Sequence, residues 1–334
     1  MDIKETLRKL TSLEGVSGDE LRVSRELCSI LYELDLEPSV DPFGNVTVFI
    51  ESDWANAPTV MLDAHLDRIG MVVTNIDEQG FLGVGAVGGL DMRTMPAQSV
   101  TVWGSEPLHG VISALPPHVT SDRTKVPAID EIAVDVGLSA EQARAAVSLG
   151  DRVTVDGEFR EMCGLISAPC LDNRSGVCVV LRALELLGDS APSKNVAVCF
   201  SSQEETGERG AKQAAFRIAP DEAICVDVSF GRTPDSVPHE TAALGSGVMI
   251  GFSAALDRWM SNSLCALAED SGIPYTREVM PSATGTNADS IGISGKGVRC
   301  GTLSVPIRYM HTAVETVDPA DIEAAARLIW EYIK

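Results

Sequence analysis

The sequence predicts an α/β protein in which a small β-rich domain is inserted into a larger α/β domain. Two observations support this prediction. Short apolar runs typical of buried strands alternate with amphipathic helical segments in residues 1–71 and 163–334. Residues 72–162 instead form short alternating segments separated by Gly and Pro, a pattern typical of β-rich domains. The length of 334 residues is sufficient for both domains.

Two helices are predicted at the start of the chain. Residues 3–13 have helical periodicity, and a second helix follows residues 15–18. Ser17 and Glu20 have the spacing of a capping box, in which the two side chains bind each other's backbone N–H groups. The predicted apolar face of the second helix consists of Leu21, Leu27, Ile30, Leu31 and Leu34.

Apolar runs further along the chain predict strands and a last helix. Residues 39–50 have the pattern of a hairpin around Gly44. Helical segments resume after residues 172–176, and Asp318 and Pro319 have the N-cap and N1 residue types of a helix that runs to the C terminus. Buried strands are predicted at 59–62, 195–200, 223–228 and 302–305.

Composition and charge exclude several classes of protein. The formal net charge of −22 would repel nucleic acid and anionic membranes. No run approaches the roughly 18 apolar residues of a membrane span, and the charged first residues do not form a signal sequence, so we predict a cytoplasmic protein. The eight cysteines include no C-x-x-C pair, and several lie in apolar runs, as expected of core residues in a reducing compartment.

Residues able to bind a metal follow or end the predicted strands. Because the carboxyl ends of parallel strands meet at one edge of a sheet, these residues are expected to lie close together. Imidazole nitrogen and carboxylate oxygen are the usual ligands of catalytic zinc and related metals. Of two adjacent acids, one can bind a metal while the other transfers a proton. The candidate residues are His65, Asp67, Asp172, Glu204, Glu205, Asp227 and His311.

Each candidate also has a structural explanation. His65 and Asp67 are compatible with a structural ion pair, and Asp172 with a helix cap. Glu204 and Glu205 have the composition of a solvated acidic turn. Spacing alone leaves both explanations open. The other three histidines, at positions 109, 118 and 239, are assigned no functional role.

Ordered motifs extend over nearly the whole chain, including the insertion. They are Leu13-Glu14-Gly15-Val16-Ser17-Gly18-x-Glu20, Asp41-x-x-Gly44-Asn45-Val46, Ala64-His65-x-Asp67-x-Ile69-Gly70, Gly110-Val111-Ile112, Pro116-Pro117-His118, Leu171-Asp172-Asn173-Arg174-x-Gly176, Gln203-Glu204-Glu205-x-Gly207-x-Arg209-Gly210-Ala211, Leu244-Gly245-x-Gly247, Gly285-Thr286-x-Ala288 and Pro306-x-Arg308-Tyr309-Met310-His311-x-x-Val314-Glu315. This series resembles the tetrahedral and glutamyl aminopeptidases, a family of dinuclear metallopeptidases.

The resemblance implies both a fold and an assembly. The implied peptidase domain has three layers, with a central mixed sheet flanked by helices. The inserted region at residues 72–162 would be a small β-barrel-like dimerisation domain. Family members commonly build tetrahedral dodecamers from dimers, so a homo-oligomer is expected.

The resemblance also implies two divalent metal ions per subunit, zinc or cobalt, with manganese also compatible with mixed nitrogen and oxygen ligands. Asp172 would bridge the two ions. Glu204 would be the general base, and Asp67 would orient His65. The implied ligands are His65, Asp172 and Asp227 for one ion and Asp172, Glu205 and His311 for the other.

Two positions depart from the pattern that the resemblance implies. Many relatives have Glu where this chain has Arg68, and many have Asp where it has Asn287. Neither position belongs to the implied ligands or to the base, so the implied chemistry is retained.

We therefore predict hydrolysis of the first peptide bond of peptides with a free N terminus. An endoglucanase-like or deacylase activity is an alternative, but glycoside hydrolysis usually uses two carboxylates without metal and leaves His65 and His311 without a role. A non-catalytic, metal-stabilised assembly protein is the other alternative. The preferred N-terminal residue, the native metal and the oligomer size are left open.

Overall fold

The computed structural model describes residues 1–115, 118–119 and 125–334 and contains a large mixed sheet, helices on both faces of it, and a separate closed β-barrel. The helices are α1 (Ile3–Thr11), α2 (Leu21–Glu33), α3 (Ala140–Ala146), α4 (Leu171–Leu187), α5 (Arg209–Ile218), α6 (Arg258–Asp270), α7 (Ala288–Gly292) and α8 (Pro319–Ile333). The strands are β1 (Ser39–Val40), β2 (Val46–Ile50), β3 (Thr59–His65), β4 (Gly70–Ile76), β5 (Leu82–Val87), β6 (Ser99–Trp103), β7 (Pro107–Ile112), β8 (Ala133–Asp135), β9 (Arg152–Val155), β10 (Arg160–Met162), β11 (Leu165–Ala168), β12 (Asn195–Ser201), β13 (Glu222–Phe230), β14 (Val248–Ser253), β15 (Tyr275–Met280), β16 (Arg299–Arg308) and β17 (Glu315–Val317).

The centre of the large sheet is parallel. The strand order is β1-β2-β12-β3-β13-β16-β17-β11-β10, with β14 paired to β16 and β15 paired to β14. Strands β12, β3, β13 and β16 run in the same direction. Their carboxyl ends therefore lie side by side at one edge, as expected from the sequence.

Helices cover both faces of this sheet, which confirms the three-layer architecture. On one face α4 packs against β3, β13 and α8, and α1 packs against α4. On the other face α5 and α7 pack against each other, α5 against β12 and α7 against β16. Strand β3 is buried at every residue after Thr59, which explains the apolar run at residues 60–62. The main core lies between the sheet and α4.

The inserted region forms a closed barrel with the strand order β4-β5-β8-β7-β6-β9, which confirms the barrel-like fold. The barrel has its own core, which includes Met71, Val102 and Val153. Strand β10 pairs with β11 in the large sheet. The domain boundaries at 72 and 162 stay a prediction, and Pro116 and Pro117 of the motif in this region lie outside the described residues.

Local predictions agree with the structure at the C terminus and fail at α2. The Asp318 side chain accepts a hydrogen bond from the Ala320 N–H (2.9 Å), so the predicted cap of α8 is confirmed. The capping box at α2 is wrong, because its N-cap residue, Glu20, makes no side-chain capping bond. Leu21, predicted on the apolar face, is 56% exposed.

Six of the eight cysteines are buried and none is paired in a disulfide, consistent with the prediction that they are core residues. Among the helices of the described ranges, none has the length and apolar character needed to cross a membrane.

Candidate metal centre

The carboxyl ends of the central strands bring the predicted site residues together. His65 is the last residue of β3 and lies opposite Ser201, the last residue of β12. Asp227 lies within β13, which continues to Phe230. The β3–β13 register pairs Cys225 with Asp63, and Asp227 and His65 each follow these residues by two positions. Two neighbouring strands therefore supply facing side chains at the same height of the sheet.

Five of the predicted residues form two groups that share Asp172. In the first group, His65 Nε2 lies 3.1 Å from Asp172 Oδ1 and 3.6 Å from Asp227 Oδ1. In the second, His311 Nε2 lies 3.3 Å from Asp172 Oδ2 and 3.5 Å from Glu205 Oε1. The potential ligand atoms of each group lie within 4.8 Å of one another. The two oxygens of Asp172 thus face two different histidines.

In the metal-free chain, the carboxylates favour the charged form of the two histidines. Burial lowers the pKa of His65, but the hydrogen bonds to Asp172 and Asp227 outweigh burial and raise it well above its ordinary value. The hydrogen bond to Asp172 is the main cause that raises the pKa of His311 to about 9. Burial alone would raise the pKa of Asp172, yet His311 and His65 lower it. Protons on the imidazoles therefore balance part of the negative charge.

The pKa values of the two acids on the loop after β12 are raised, in contrast to that of Asp172. Burial raises the pKa of Glu204 to about 9, and Asp227 and Glu205 add to this increase. Burial and the charge of Asp172 raise the pKa of Glu205 to about 7. Too many carboxylates are buried together for all of them to be ionised without additional positive charge. Divalent cations would supply that charge.

The donor set fits hard or borderline divalent metals. Each group offers one imidazole nitrogen and two carboxylate oxygens, the ligand types found around catalytic zinc and related ions. Three protein ligands leave coordination positions free for water or substrate. Both groups line a cleft of about 350 Å³, which Glu204 also lines. These residues can therefore hold metal beside an acid that is accessible to substrate.

Asp67 connects the end of β3 to the loop that carries both glutamates. Its Oδ1 accepts a hydrogen bond from the Glu204 N–H (2.9 Å), and its Oδ2 accepts one from the Glu205 N–H (3.1 Å). His65 Nδ1 lies 3.2 Å from the Asp67 backbone oxygen and 3.5 Å from Asp67 Oδ1. The backbone oxygen is thus the nearer partner of His65, while the carboxylate fixes the backbone of the two acids.

The residues predicted to form the capping box contact this site instead. The Ser17 hydroxyl donates to Asp67 Oδ2. Glu20 Oε1 accepts hydrogen bonds from the N–H groups of Gly18 (2.8 Å) and Gln203 (3.1 Å). The segment before α2 therefore packs on the loop that carries Glu204, and long-range contacts replace the local cap.

Glu315 is a site residue that reasoning from the sequence missed. It is 2% exposed, and its two oxygens accept hydrogen bonds from the N–H groups of His311 (2.7 Å) and Asp172 (3.0 Å). One carboxylate thus connects the backbones of two potential ligands. The sequence signal available for Glu315 was its position at the end of the motif that contains His311. That motif does not indicate what the side chain does.

The barrel also contacts the second group. His311 Nδ1 lies 2.9 Å from the backbone oxygen of Gly89, in the loop after β5. A Cβ atom added to the preceding Gly88 would lie 3.2 Å from Glu205 Oε2. A glycine carbonyl leaves no recognisable signal in a sequence, so this contact could not be predicted.

The two departures from the family pattern lie beside the groups. Arg68 is buried, and its Nη2 lies 3.5 Å from the backbone oxygen of Val155 in β9, at the junction of sheet and barrel. Asn287 Nδ2 donates to Asp63 Oδ2 (2.7 Å) and to Ser201 Oγ (2.9 Å). Within the described residues, neither departure belongs to a potential metal-binding group, and neither do the histidines at 109, 118 and 239.

A three-layer α/β domain with imidazole and carboxylate ligands at the carboxyl ends of its parallel strands defines the class of metal-dependent hydrolases. The model of one peptidase family, M42 glutamyl aminopeptidase, matches residues 44–328. The chain belongs to this family and is a peptidase hydrolase.

Individual relatives agree with this assignment. The chain is 33% identical over 334 residues to a lysyl aminopeptidase of Pyrococcus furiosus, covering 97% of this chain and 94% of the relative. The structure of aminopeptidase APDkam598 from Desulfurococcus kamchatkensis superposes with a TM-score of 0.93 at 33% identity, covering 99% of this chain and 94% of that one. The TET1 peptidase of Pyrococcus horikoshii superposes with a TM-score of 0.88 at 30% identity, covering 99% of each chain.

Proposed function

We propose that the chain is a dinuclear metal-dependent aminopeptidase that removes N-terminal residues from peptides. The observation that carries this proposal is the pair of groups that share Asp172, one oxygen facing each histidine, in a cleft also lined by Glu204. A bridging carboxylate between two ions about 3.5–4 Å apart is the usual arrangement of two-metal hydrolases.

Each side chain then has a defined task. His65, Asp172 and Asp227 hold one ion, and Asp172, Glu205 and His311 hold the other. When bound, the ions would lower the pKa of water and stabilise negative charge on the reacting carbonyl group. Zinc, cobalt and manganese all suit these ligands.

Glu204 acts as the general base. Its pKa of about 9 belongs to the metal-free chain, and nearby divalent charge lowers the pKa of a carboxyl group, so Glu204 can accept a proton near neutral pH. It takes a proton from the attacking water and returns it to the leaving amine. Such transfer contributes roughly 10²–10⁴ in rate. Asp67 holds the backbone of Glu204 in place.

The oligomer belongs to the same proposal. The P. horikoshii relative assembles into a tetrahedron or a large octahedral shell. We propose that this chain forms dimers through its barrel and a tetrahedral dodecamer from those dimers, in the cytoplasm.

Metal removal and restoration test the activity. The purified protein is stripped with chelator, reloaded with zinc, cobalt or manganese, and assayed on aminoacyl chromogenic substrates beside amino-blocked controls. Activity restored only on free amino termini supports the proposal. Activity confined to blocked substrates would instead indicate an endopeptidase or deacylase. No turnover with metal bound would favour an assembly protein, and cellulose hydrolysis that survives chelation would favour an endoglucanase.

Glu204→Gln tests the assignment of the base. The variant keeps the side-chain size and leaves both ligand groups intact, so we expect unchanged metal content and a loss of kcat of roughly 10²–10⁴-fold. Glu240→Gln, an exposed glutamate in a loop, is the matched control. Near-normal turnover of Glu204→Gln would refute the assignment.

A further inference from the structure

The cleft that contains the metal-binding groups extends past them along β13 and β16. Ser229 follows Asp227 by two residues in β13, so both side chains lie on the same face, about 6–7 Å apart along the strand. Ser304 of β16 is the pairing partner of Asp227. Both serines line the cleft. The part of the cleft next to the reacting bond is therefore bordered by these two hydroxyl groups.

A fifth carboxylate side chain of the cleft, Glu278 of β15, lies at this position. The Ser229 hydroxyl donates to its Oε1, and the Ser304 hydroxyl donates to its Oε2 at 2.9 Å. Each oxygen is thus held by one hydroxyl group, which fixes the orientation of the carboxylate. Burial raises the pKa of Glu278, and the two hydroxyl bonds oppose that increase.

The charges that line the cleft are unevenly balanced. Among its described lining residues there is no Lys or Arg. Two divalent cations would neutralise the four carboxylates of the proposed catalytic centre, which are Asp172, Glu204, Glu205 and Asp227. Glu278 is a further carboxyl group without a cationic partner in the described lining. A half-buried carboxylate in this position favours a positively charged ligand.

We propose that Glu278 selects peptides whose N-terminal residue has a cationic side chain, lysine or arginine. This inference rests on the proposed function and names its substrate class. With the first peptide bond at the metal centre, the side chain of the N-terminal residue extends along β13. Its methylene groups contact Met280 and Met310, which line the same cleft. Its charged end pairs with Glu278.

The N-terminal amino group is the competing ligand for Glu278. If Glu278 bound that group, its replacement would weaken all substrates equally, because every substrate has a free α-amine. If Glu278 binds the side chain, only cationic substrates lose an interaction. Comparison of lysyl with norleucyl substrates isolates this difference, because norleucine has nearly the same carbon chain without the ammonium group.

The experiment measures kcat/KM of the metal-loaded oligomer for lysyl, arginyl, norleucyl and glutamyl substrates. The wild-type enzyme is expected to prefer lysyl over norleucyl substrate by at least about tenfold, the effect of one hydrogen bond to a charged group. In Glu278→Gln the ratio of lysyl to norleucyl kcat/KM falls by about 10- to 100-fold. Glu269→Gln, a glutamate on α6 that bonds the Tyr275 hydroxyl outside the cleft, leaves the ratio unchanged.

Two results would overturn the inference: a wild-type enzyme that prefers norleucyl or glutamyl substrate, or an equal loss on all substrates in Glu278→Gln. The wild-type ratio requires no variant, so the test stands even if Glu278→Gln does not fold. If the proposed function were wrong, the metal-loaded enzyme would hydrolyse no substrate with a free amino group. Activity on neutral substrates without a cationic preference would refute the inference alone.

Discussion

Asn287 shows how a single amide supports the strand end that carries the potential metal-binding groups. Its Nδ2 donates to Asp63 Oδ2 and to Ser201 Oγ, all in buried positions. Burial raises the pKa of Asp63 to about 7, and the hydrogen bonds from Ser201 and Asn287 oppose that shift. Asp63 precedes His65 by two residues, so the amide stabilises a carboxylate on the same face of β3.

Replacing Asn287 with Asp is expected to destabilise the fold. The change removes a donor and places a second carboxylate against Asp63, and an uncompensated buried charge is unfavourable by roughly 3–5 kcal/mol. The measurement is the Tm of the metal-stripped protein at pH 8. The double variant Asp63→Asn/Asn287→Asp restores one amide and one carboxylate, and it should recover most of the loss. Equal Tm values for Asn287→Asp and wild type would contradict this role of the amide.

The stability of Asn287→Asp should also depend on pH. The folded pair keeps a proton that the unfolded chain releases above about pH 4, the ordinary range of Asp. Folding therefore takes up a proton, and stability falls as pH rises. Because burial already raises the pKa of Asp63 to about 7, a second carboxylate extends this fall above pH 7. The Tm difference from wild type should be smaller at pH 5 than at pH 8.

At the scale of elements, the loop after β5 connects the barrel to the potential metal-binding groups. Gly88 has φ +77°, and a Cβ atom there would lie 2.7 Å from Ile69 Cγ2 and 3.2 Å from Glu205 Oε2. The next residue, Gly89, accepts the contact from His311. A side chain at Gly88 would therefore clash with Ile69 and displace Glu205, a potential ligand in the second group that is absent from the first.

Gly88→Ala is expected to weaken the ion held by Asp172, Glu205 and His311. Chelator titration with metal analysis should show one ion released at lower chelator concentration than in wild type, while the other is retained. Gly137→Ala is the matched control, because Gly137 has a similar φ of +69° but no atom within 4 Å of an added Cβ. Identical release of both ions from wild type and Gly88→Ala would exclude a role of this loop.

At the start of α2, the local sequence pattern predicts the wrong hydrogen-bond partners. Ser17 and Glu20 have capping-box spacing, but both side chains bind partners far away in the sequence. Local spacing cannot distinguish a cap from a long-range contact, since both use the same donors and acceptors. The cap of α8 was predictable because Asp318 and Pro319 act within one turn of their own helix.

At the scale of the whole molecule, the negative net charge of each chain opposes the proposed assembly by electrostatic repulsion. Each chain of 35.4 kDa has a formal net charge of −22. Salt screens such repulsion, so assembly should strengthen as ionic strength rises.

Light scattering at low and physiological salt tests the proposed oligomer. We expect a species of twelve chain masses at physiological salt and smaller species, including dimers, at low salt. Zinc-loaded and metal-stripped samples run in parallel separate the effect of metal from that of charge. A monomeric mass under all conditions would refute the assembly.

Much of the architecture could be predicted from the sequence. The central strands begin within a few residues of their predicted positions. The inserted region contains the expected barrel, whose first strand begins at Gly70, while the boundaries at 72 and 162 stay a prediction. The predicted ends of the strands were less accurate. Strand β16 extends from Arg299 to Arg308, well beyond the predicted 302–305. Pairing with β13 and β17 extends this strand, and such pairing is not encoded in local hydrophobicity.

The sequence by itself determined which potential metal ligands end or follow the parallel strands, because strand periodicity and chain direction place His65, Glu204 and Glu205 at one edge of the sheet. Only the tertiary structure decided how Asp172 faces both histidines and where Glu315, Gly89 and Glu278 lie. These contacts join residues that are far apart in the chain, and their distances depend on strand register and on the packing of the barrel against the sheet. Neither is a local property of the sequence.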